Sequence, residues 1–183
     1  PEYETLGALG SGLEVGNLKA IAAANQLCSQ YGLDSISAGV TLQFAMECYE
    51  RGLLTKEDTG GLELRFGDEA TVLRLLKMIA YREGFGDLLA EGTKRLSERI
   101  GRGSAAFAMH VKGQEVPLHE PRGKFNVGLG YAVSETGADH LRAAHDTTFV
   151  TAESVGLKSV WPLGVYQPVD PLAAGPDKVH LFA

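Results

Sequence analysis

A ten-residue run, CSQYGLDSIS at residues 28–37, carries the most informative chemistry of the chain. One amphipathic pattern stops at Gly32 and a second begins at Asp34 and Ser35, which predicts a glycine that ends one helix and an oxygen-bearing cap that opens the next. The first turn of a helix has unpaired backbone N–H groups, so a carboxylate and a hydroxyl here could grip a polar cofactor. A carboxylate can also accept two parallel hydrogen bonds from the N–H edge of an aminopyrimidine. The alternative for Asp34 is a helix cap with no further role.

Two other places carry side chains that can move protons. Glu4 stands in an opening segment, Pro1 to Gly12, that is predicted to be loop or extended, and a desolvated carboxylate there could act as a general acid or base. The alternative for Glu4 is a solvated loop residue. His140 could carry a proton and Arg142 could hold a phosphate, in a helix predicted from near Gly128 towards Ala144. The alternative is a half-buried histidine beside a surface arginine.

No metal site is predicted from histidine spacing. His140 and His145 are five residues apart, so on a helix they would point to different sides, whereas a paired-histidine site prefers a spacing of four. Prolines interrupt the stretches around His110 and His119, so a helix-spaced metal pair cannot be argued there. We interpret both stretches as structural.

The bulk composition is that of a soluble globular protein, with 44% hydrophobic and 22% charged residues among 183. The net charge of −6 without a basic cluster argues against nucleic-acid and anionic-membrane partners. No apolar stretch reaches the ~18 residues of a membrane span. Cys28 and Cys48 form no Cys-x-x-Cys pair, so they predict small buried thiols in a reducing cytoplasm rather than a thiolate metal centre. The start at Pro1 and the abrupt end suggest a piece of a longer protein.

The elements that must position these side chains are mostly helices. Apolar spacing and capping residues predict helices from Asn17 to Gly32, from about Asp34 to Arg51, from Asp68 to Gly84 and from Asp87 to Ile100. Alternation predicts a short strand at Leu62 to Phe66, and Phe107 to Val116 is predicted to be extended. Gly101 to Ser104 is the predicted linker, and Pro176 is predicted to open a last helix. The fold class is therefore mainly α and multihelical, with short extended segments and long Pro/Gly-rich loops.

Taken together and in order, these segments resemble the tungsten-dependent aldehyde ferredoxin oxidoreductases. The matching runs within residues 1–145 are PEYET, GLDSIS, FAMECYERG, GLELRFG, AYREG, LLAEG, MHVKG and GADHLR. That family has an N-terminal β domain followed by two largely helical domains, and this chain is similar to the latter two. The resemblance implies a partial helical middle domain over residues 1–108 and the truncated start of a helical C-terminal domain over residues 109–183.

The resemblance also assigns roles to residues. It implies that Glu4 is a catalytic carboxylate beside the metal and His140 a catalytic histidine near it. The residues implied to bind pterin are Ser29, Gly32, Leu33, Asp34, Ser35 and Arg142. Gly32, Leu33 and Asp34 match an Asp-x-x-Gly-Leu-Asp/Cys motif, and Ser35 follows it. Ser29 stands where the motif has its leading Asp, which leaves Asp34 as the stronger ligand. The segments that carry Glu4, Asp34 and His140 would then converge on the wall of one cavity.

The resemblance implies a tungsten or molybdenum ion held by two pterins, beside a [4Fe-4S] cluster whose cysteine ligands lie outside this chain. The implied reaction oxidises a small aldehyde to a carboxylic acid with ferredoxin as electron acceptor, in a cytoplasmic protein of which the fragment alone is inactive. A homo-oligomer stays open. So do two alternatives: a carboxylic-acid or aromatic acyl-CoA reductase of the same family, and a helical scaffold without catalysis, which the serine at position 29 favours.

Overall fold

The computed structural model describes residues 1–142 and 144–175. Within those ranges the chain forms eight α-helices, four short 3-10 helices and one two-stranded sheet, which confirms the mainly α, multihelical fold class. The chain divides into two compact units, the first over residues 1–118 and the second beginning at His119. The domain boundary after residue 108 stays a prediction. None of the helices in the described ranges combines the length and the apolar character that crossing a bilayer needs.

The first unit is built around one central helix, α3. Its helices are α1 (Tyr3–Leu9), α2 (Leu18–Tyr31), α3 (Ser35–Glu50), α4 (Glu69–Tyr81), α5 (Phe85–Leu89) and α6 (Gly92–Ile100), with 3-10 turns at Ser11–Leu13 and Ser104–Phe107. A short antiparallel hairpin follows, with β1 (His110–Val111) paired to β2 (Gln114–Glu115). Helix α3 contacts α1, α5, α6 and β2. The core of this unit includes the fully buried Leu42, Met46, Leu75, Leu76 and Leu96.

Local capping chemistry fixes the helix ends where the sequence predicts them. The side chain of Asn17 accepts a hydrogen bond from Lys19 N at 3.1 Å, and that of Asp68 accepts one from Thr71 N at 3.1 Å. Gly32 ends α2 in the left-handed region with φ of 67°, which costs a glycine nothing. The predicted starts of α2 and α4 and the predicted end of α2 are confirmed.

The opening segment is helical, so the predicted loop or extended conformation for residues 1–12 is wrong. Its small residues serve close packing rather than a flexible chain. A Cβ added at Gly39 of α3 would lie 2.6 Å from the carbonyl oxygen of Ala8, and one added at Gly7 would lie 2.9 Å from the side chain of Leu118. Glycines at these positions let α1 lie directly against α3 and the chain near Leu118.

Two further element predictions fail for identifiable reasons. Leu62 and Leu64 are buried as their alternation predicts, but no strand forms there because this segment has no partner strand in the described chain. The helix predicted from Asp87 to Ile100 is instead split between α5 and α6. Gly92 begins α6 with φ of 79°, a value that an uninterrupted right-handed helix excludes.

The second unit contains α7 (Phe125–Val133), α8 (Val155–Ser159) and 3-10 turns at Asp146–Phe149 and Trp161–Leu163. The helix predicted to continue through His140 ends at Val133, so that prediction is wrong. Thr136 N donates to Ser134 Oγ at 3.3 Å, and Gly137 has φ of 104°, so the backbone turns away from the helical path. A small apolar cluster of Phe149, Leu157, Val165 and Val169 forms the core of this unit. The helix predicted from Pro176 lies outside the described residues.

Candidate functional site

The turn between α2 and α3 holds an exposed carboxylate at the start of a buried helix. Asp34 Oδ1 accepts from Ile36 N at 3.3 Å and Oδ2 accepts from Ser37 N at 3.1 Å, which confirms the predicted cap. A carboxylate has about four acceptor positions, and the cap uses one on each oxygen. The outward positions of Asp34 therefore suit the N–H edge of a planar ring, and the charge is stabilised by the helix N-terminus.

An open cleft of about 130 Å³ lies beside this turn and is lined by Leu33, Asp34, Ser37, Thr41 and Gly92 among others. Asp34 thus stands at the rim of a cavity rather than on a flat surface. Its neighbours along the wall are small or apolar, so they leave room for a ring and cover its faces. The chemistry of these residues fits a pterin.

A buried carboxylate that sequence reasoning did not single out lies behind the same wall, in contact with Thr41. Glu115 is 5% exposed, and its Oε1 accepts from Thr93 N at 2.7 Å in the first turn of α6. The hydroxyls of Thr41 and Thr93 lie 3.1 Å apart beside it. A Cβ at Gly92 would lie 3.0 Å from this Glu115 oxygen, so glycine is needed there. Because Glu115 caps α6 at Thr93, 22 residues earlier in the chain, no local sequence motif indicates this role.

The other residues of the pterin motif surround the same turn. Ser29 is exposed on the last turn of α2, and Leu33 N closes the α2 end by donating to Cys28 O at 2.9 Å. The hydroxyls of Ser35 and Thr5 lie 2.9 Å apart. Since Thr5 directly follows Glu4, this contact holds the Glu4 segment against the Asp34 turn, as the convergence prediction requires for these two.

Glu4 is not a solvated loop residue. It is 5% exposed on α1, and its Oε2 accepts from Leu118 N at 2.8 Å. The hydroxyl of Tyr3 donates to Leu118 O at 3.2 Å, so the same backbone unit is bound at both its N–H and its carbonyl. A carboxylate that is buried and held in one orientation is what a general base requires.

His140 belongs to a cluster of three histidines in the second unit. The ring centroids lie 5.0 Å apart for His119 and His140, 4.4 Å for His119 and His145, and 6.0 Å for His140 and His145. Lys124 Nζ lies 3.1 Å from His119 Nδ1 and 3.3 Å from His145 Nδ1. His140 and His145 do not point to different sides, as their spacing predicted, because the helix that this prediction assumed ends before them at Val133.

His119 is the member of this cluster that sequence reasoning took for a structural residue. Burial, followed by the charge of Lys124 and then by His145 and His140, lowers the pKa of His119 to about 4. It is therefore a neutral imidazole at physiological pH. The three histidines and Lys124 come from irregular backbone and one helix edge, so no periodic spacing could have indicated the cluster.

Arg142 lies near His140 in sequence but is engaged elsewhere. Its Nη1 lies 3.3 Å from Glu135 Oε1 and its Nε 3.7 Å from Asp139 Oδ2. The guanidinium is exposed, as expected for the surface-arginine alternative. A role for Arg142 towards pterin stays a prediction, and it would require exchange of one of these carboxylates for the cofactor.

Both cysteines are buried thiols, as predicted. Cys28 is 2% and Cys48 0% exposed. Burial, aided by the nearby charges of Asp34 and Glu47 respectively, raises the pKa of each thiol to about 11. Since the thiolate is the nucleophile and metal ligand, neither thiol is poised for catalysis.

The sequence of this chain is similar to those of known proteins. All of residues 1–183 match a family model described as aldehyde ferredoxin oxidoreductase, domains 2 and 3. A tungsten-containing aldehyde ferredoxin oxidoreductase of Pyrococcus abyssi is 46% identical over 145 residues, which cover 78% of this chain and 24% of that protein. An aliphatic sulfonate oxidoreductase, WOR-like subunit, of Pyrococcus furiosus is 41% identical over 150 residues, which cover 79% of this chain and 24% of that protein.

A solved structure is similar as well. The active-site complex BamBC of benzoyl coenzyme A reductase, in complex with 1,5-dienoyl-CoA, matches with a TM-score of 0.63 and 30% identity. The match covers 74% of this chain and 20% of that one. The chain spans about a quarter of the length of the curated relatives that it matches.

Proposed function

The chain belongs to the aldehyde ferredoxin oxidoreductase family, and from this premise we propose that it is part of a tungsten–pterin enzyme that oxidises aldehydes to carboxylic acids and passes two electrons to ferredoxin. The observation that carries the proposal is the pairing of a buried carboxylate with the pterin-motif turn. Glu4 lies on α1, and the contact between Thr5 and Ser35 fixes that helix beside Asp34. A proton acceptor and a ring-binding carboxylate are thus held by one rigid pair of helices.

Each residue has a definite task in this proposal. Asp34 accepts hydrogen bonds from the pterin edge, and Ser29 adds a weaker acceptor without charge. Gly32, Leu33 and Ser35 shape the turn that presents Asp34, and Arg142 contributes a cation near the pterin. When bound, the tungsten–pterin group supplies the two-electron redox chemistry. We propose the [4Fe-4S] cluster, with cysteines outside this chain, as its electron outlet, and the cytoplasm as its location.

The protein residues supply proton transfer and charge stabilisation. Water adds to the carbonyl carbon of the aldehyde, and Glu4 takes the proton that the water gives up. His140 donates a hydrogen bond to the carbonyl oxygen, where negative charge develops. The overall balance is aldehyde plus water giving carboxylic acid, two electrons and two protons.

A second candidate is a reductase of the same family that acts on an acyl-CoA or a carboxylic acid. The likeness to the benzoyl coenzyme A reductase complex supports it. Substrate choice depends on loops rather than on the shared helical frame. Assays with an aldehyde and with an aromatic acyl-CoA separate the two activities.

Metal analysis of the full-length protein tests the proposal most directly. We expect tungsten and iron to copurify with it, and aldehyde to reduce ferredoxin only in metal-loaded preparations. Elemental analysis by mass spectrometry and a ferredoxin-reduction assay measure the two results. Molybdenum in place of tungsten changes the metal assignment only. A protein purified without tungsten, molybdenum or iron from cells that supply them is instead the helical scaffold, and it refutes the proposal.

Asp34→Asn separates ring binding from helix capping. Asparagine keeps one of the two cap hydrogen bonds of Asp34, so the fold is retained with a small loss of stability, but the neutral amide holds the pterin more weakly by about 1–2 kcal/mol. We expect lower tungsten content than in a variant with a similar loss of helix capping. The matched control is Asp68→Asn, which alters the equivalent cap of α4, where Asp68 accepts from Thr71 N. Equal tungsten content in both variants would exclude Asp34 as a pterin ligand.

A further inference from the structure

The histidine cluster of the second unit is organised around one ammonium group. Lys124 Nζ reaches Nδ1 of His119 at 3.1 Å and Nδ1 of His145 at 3.3 Å. A lysine ammonium has three donors and no acceptor. In both contacts the lysine therefore donates, and each Nδ1 accepts with its lone pair and carries no proton.

These contacts also determine which of the remaining ring nitrogens carry a proton. His145 Nε2 lies 3.0 Å from the backbone carbonyl oxygen of His140, which can only accept, so Nε2 of His145 carries its single proton. His119 has an unprotonated Nδ1, so its proton is likewise on Nε2. The two rings meet edge to face at a centroid distance of 4.4 Å, and the ring of His119 lies 5.0 Å from that of His140.

The charges in this unit favour the neutral state of His119. In the described part of the unit, no carboxylate forms an ion pair with Lys124. Its positive charge beside the two rings is therefore not neutralised by a carboxylate there. The neighbouring carboxylate of Glu120 is bound to the guanidinium of Arg122 at 2.8 and 2.7 Å. After burial, the groups that lower the pKa of His119 are Lys124, His145 and His140, in that order.

We propose that Lys124 is a positioning residue that holds His119 neutral with its proton on Nε2, so that His119 serves beside His140 as an uncharged hydrogen-bond donor to a substrate oxygen. A neutral imidazole polarises a carbonyl without giving up its proton, unlike an imidazolium. The part of this proposal that concerns the substrate rests on the proposed function. The effect of Lys124 on the ring of His119 does not.

Ring-nitrogen NMR of the full-length protein, labelled with ¹⁵N-histidine, tests the role of Lys124 directly. In Lys124→Met we expect the protonation midpoint of His119 to rise by about one pH unit, since a like charge in contact is removed. We expect the proton of His119 to distribute over both ring nitrogens. His145 keeps its proton on Nε2, because its bond to the His140 carbonyl remains, and so it serves as an internal reference.

Two variants complete the design. Lys124→Arg restores a charged donor and is expected to return His119 towards the parent titration and tautomer. Lys158→Met removes one exposed charge from α8 of the same unit and should leave the His119 signals unchanged. If Lys124→Met does not accumulate, Lys124→Gln replaces it, since this side chain can donate without charge and should raise the midpoint while preserving the tautomer. A His119 signal that is indifferent to removal of the lysine charge overturns the proposal.

Turnover gives a second, separate readout. With Lys124→Met we expect the ionisation in the pH profile of kcat to move up by about one pH unit, so that kcat at pH 5 falls about twofold relative to the parent, and we expect Lys124→Arg to restore the parent profile. An altered His119 titration in a protein without aldehyde activity or tungsten refutes the proposed function and leaves the role of Lys124 intact. An active enzyme with the parent titration and pH profile in Lys124→Met refutes the role of Lys124 alone.

Discussion

Replacing Glu4 with glutamine is expected to lower aldehyde turnover of the full-length enzyme by about 10²–10⁴-fold while tungsten content stays unchanged. Glutamine has the size and shape of glutamate but cannot take a proton from the attacking water. Its amide oxygen can still accept from Leu118 N, as Glu4 Oε2 does at 2.8 Å, so α1 should keep its place against α3. The loss should therefore appear in kcat rather than in cofactor content or folding.

Glu2→Gln provides the matched control, because Glu2 is an exposed glutamate just before α1. We expect parent turnover from this variant. The measurements are ferredoxin reduction under saturating aldehyde and elemental analysis of the same samples. Parent turnover in Glu4→Gln removes Glu4 from the mechanism, and a parallel loss of tungsten would instead make it a residue that holds the cofactor.

Helix boundaries were predictable wherever a short-range hydrogen bond sets them. Asp34 and Asp68 accept from backbone N–H groups two or three residues ahead, and Gly32 needs only its own left-handed φ. These interactions involve neighbours in sequence, so residue types alone specify them. The same locality explains why α2, α3 and α4 begin where the sequence indicates.

Elements that depend on distant partners were not predictable in this way. Gly7 of α1 resembles a glycine of a loop, and only its approach to Leu118, like that of Gly39 of α3 to Ala8, shows that such glycines permit close packing. Glu115 caps α6 across 22 residues, and the histidine cluster forms on backbone without a repeating period. No pattern within a short window of sequence encodes such contacts.

The candidate site was likewise only partly predictable from residue types. Physical reasoning on single residues left Glu4, Asp34 and His140 with structural alternatives, and the resemblance to a family assigned them roles. The structure adds that Glu4 is buried and that its segment is bonded to the Asp34 turn through Thr5 and Ser35. These facts discriminate against a solvated Glu4, which residue type alone had favoured.

Asp146→Ala is expected to destabilise the helix beside the histidine cluster by about 3 kcal/mol. The carboxylate of Asp146 is fully buried and accepts from Asn126 N at 2.9 Å and from Val127 N at 3.4 Å, so it caps α7 from 20 residues away. Both donors belong to residues that are at most 2% exposed, so alanine would leave their N–H groups without water as a substitute. Because His145 directly precedes Asp146, the same change should make the imidazole ring of His145 more mobile.

Amide hydrogen exchange of the peptide that spans α7 measures this loss. We expect exchange to accelerate by about 100-fold, since each 1.4 kcal/mol of opening free energy is a factor of ten. Asp146→Asn keeps one acceptor oxygen and should lose about half as much. Glu135→Ala removes an exposed partner of Arg142 and should change the opening free energy of α7 by less than about 0.5 kcal/mol. If Asp146→Ala exchanges like Glu135→Ala, the buried carboxylate does not hold α7, and the cluster depends on other contacts for its geometry.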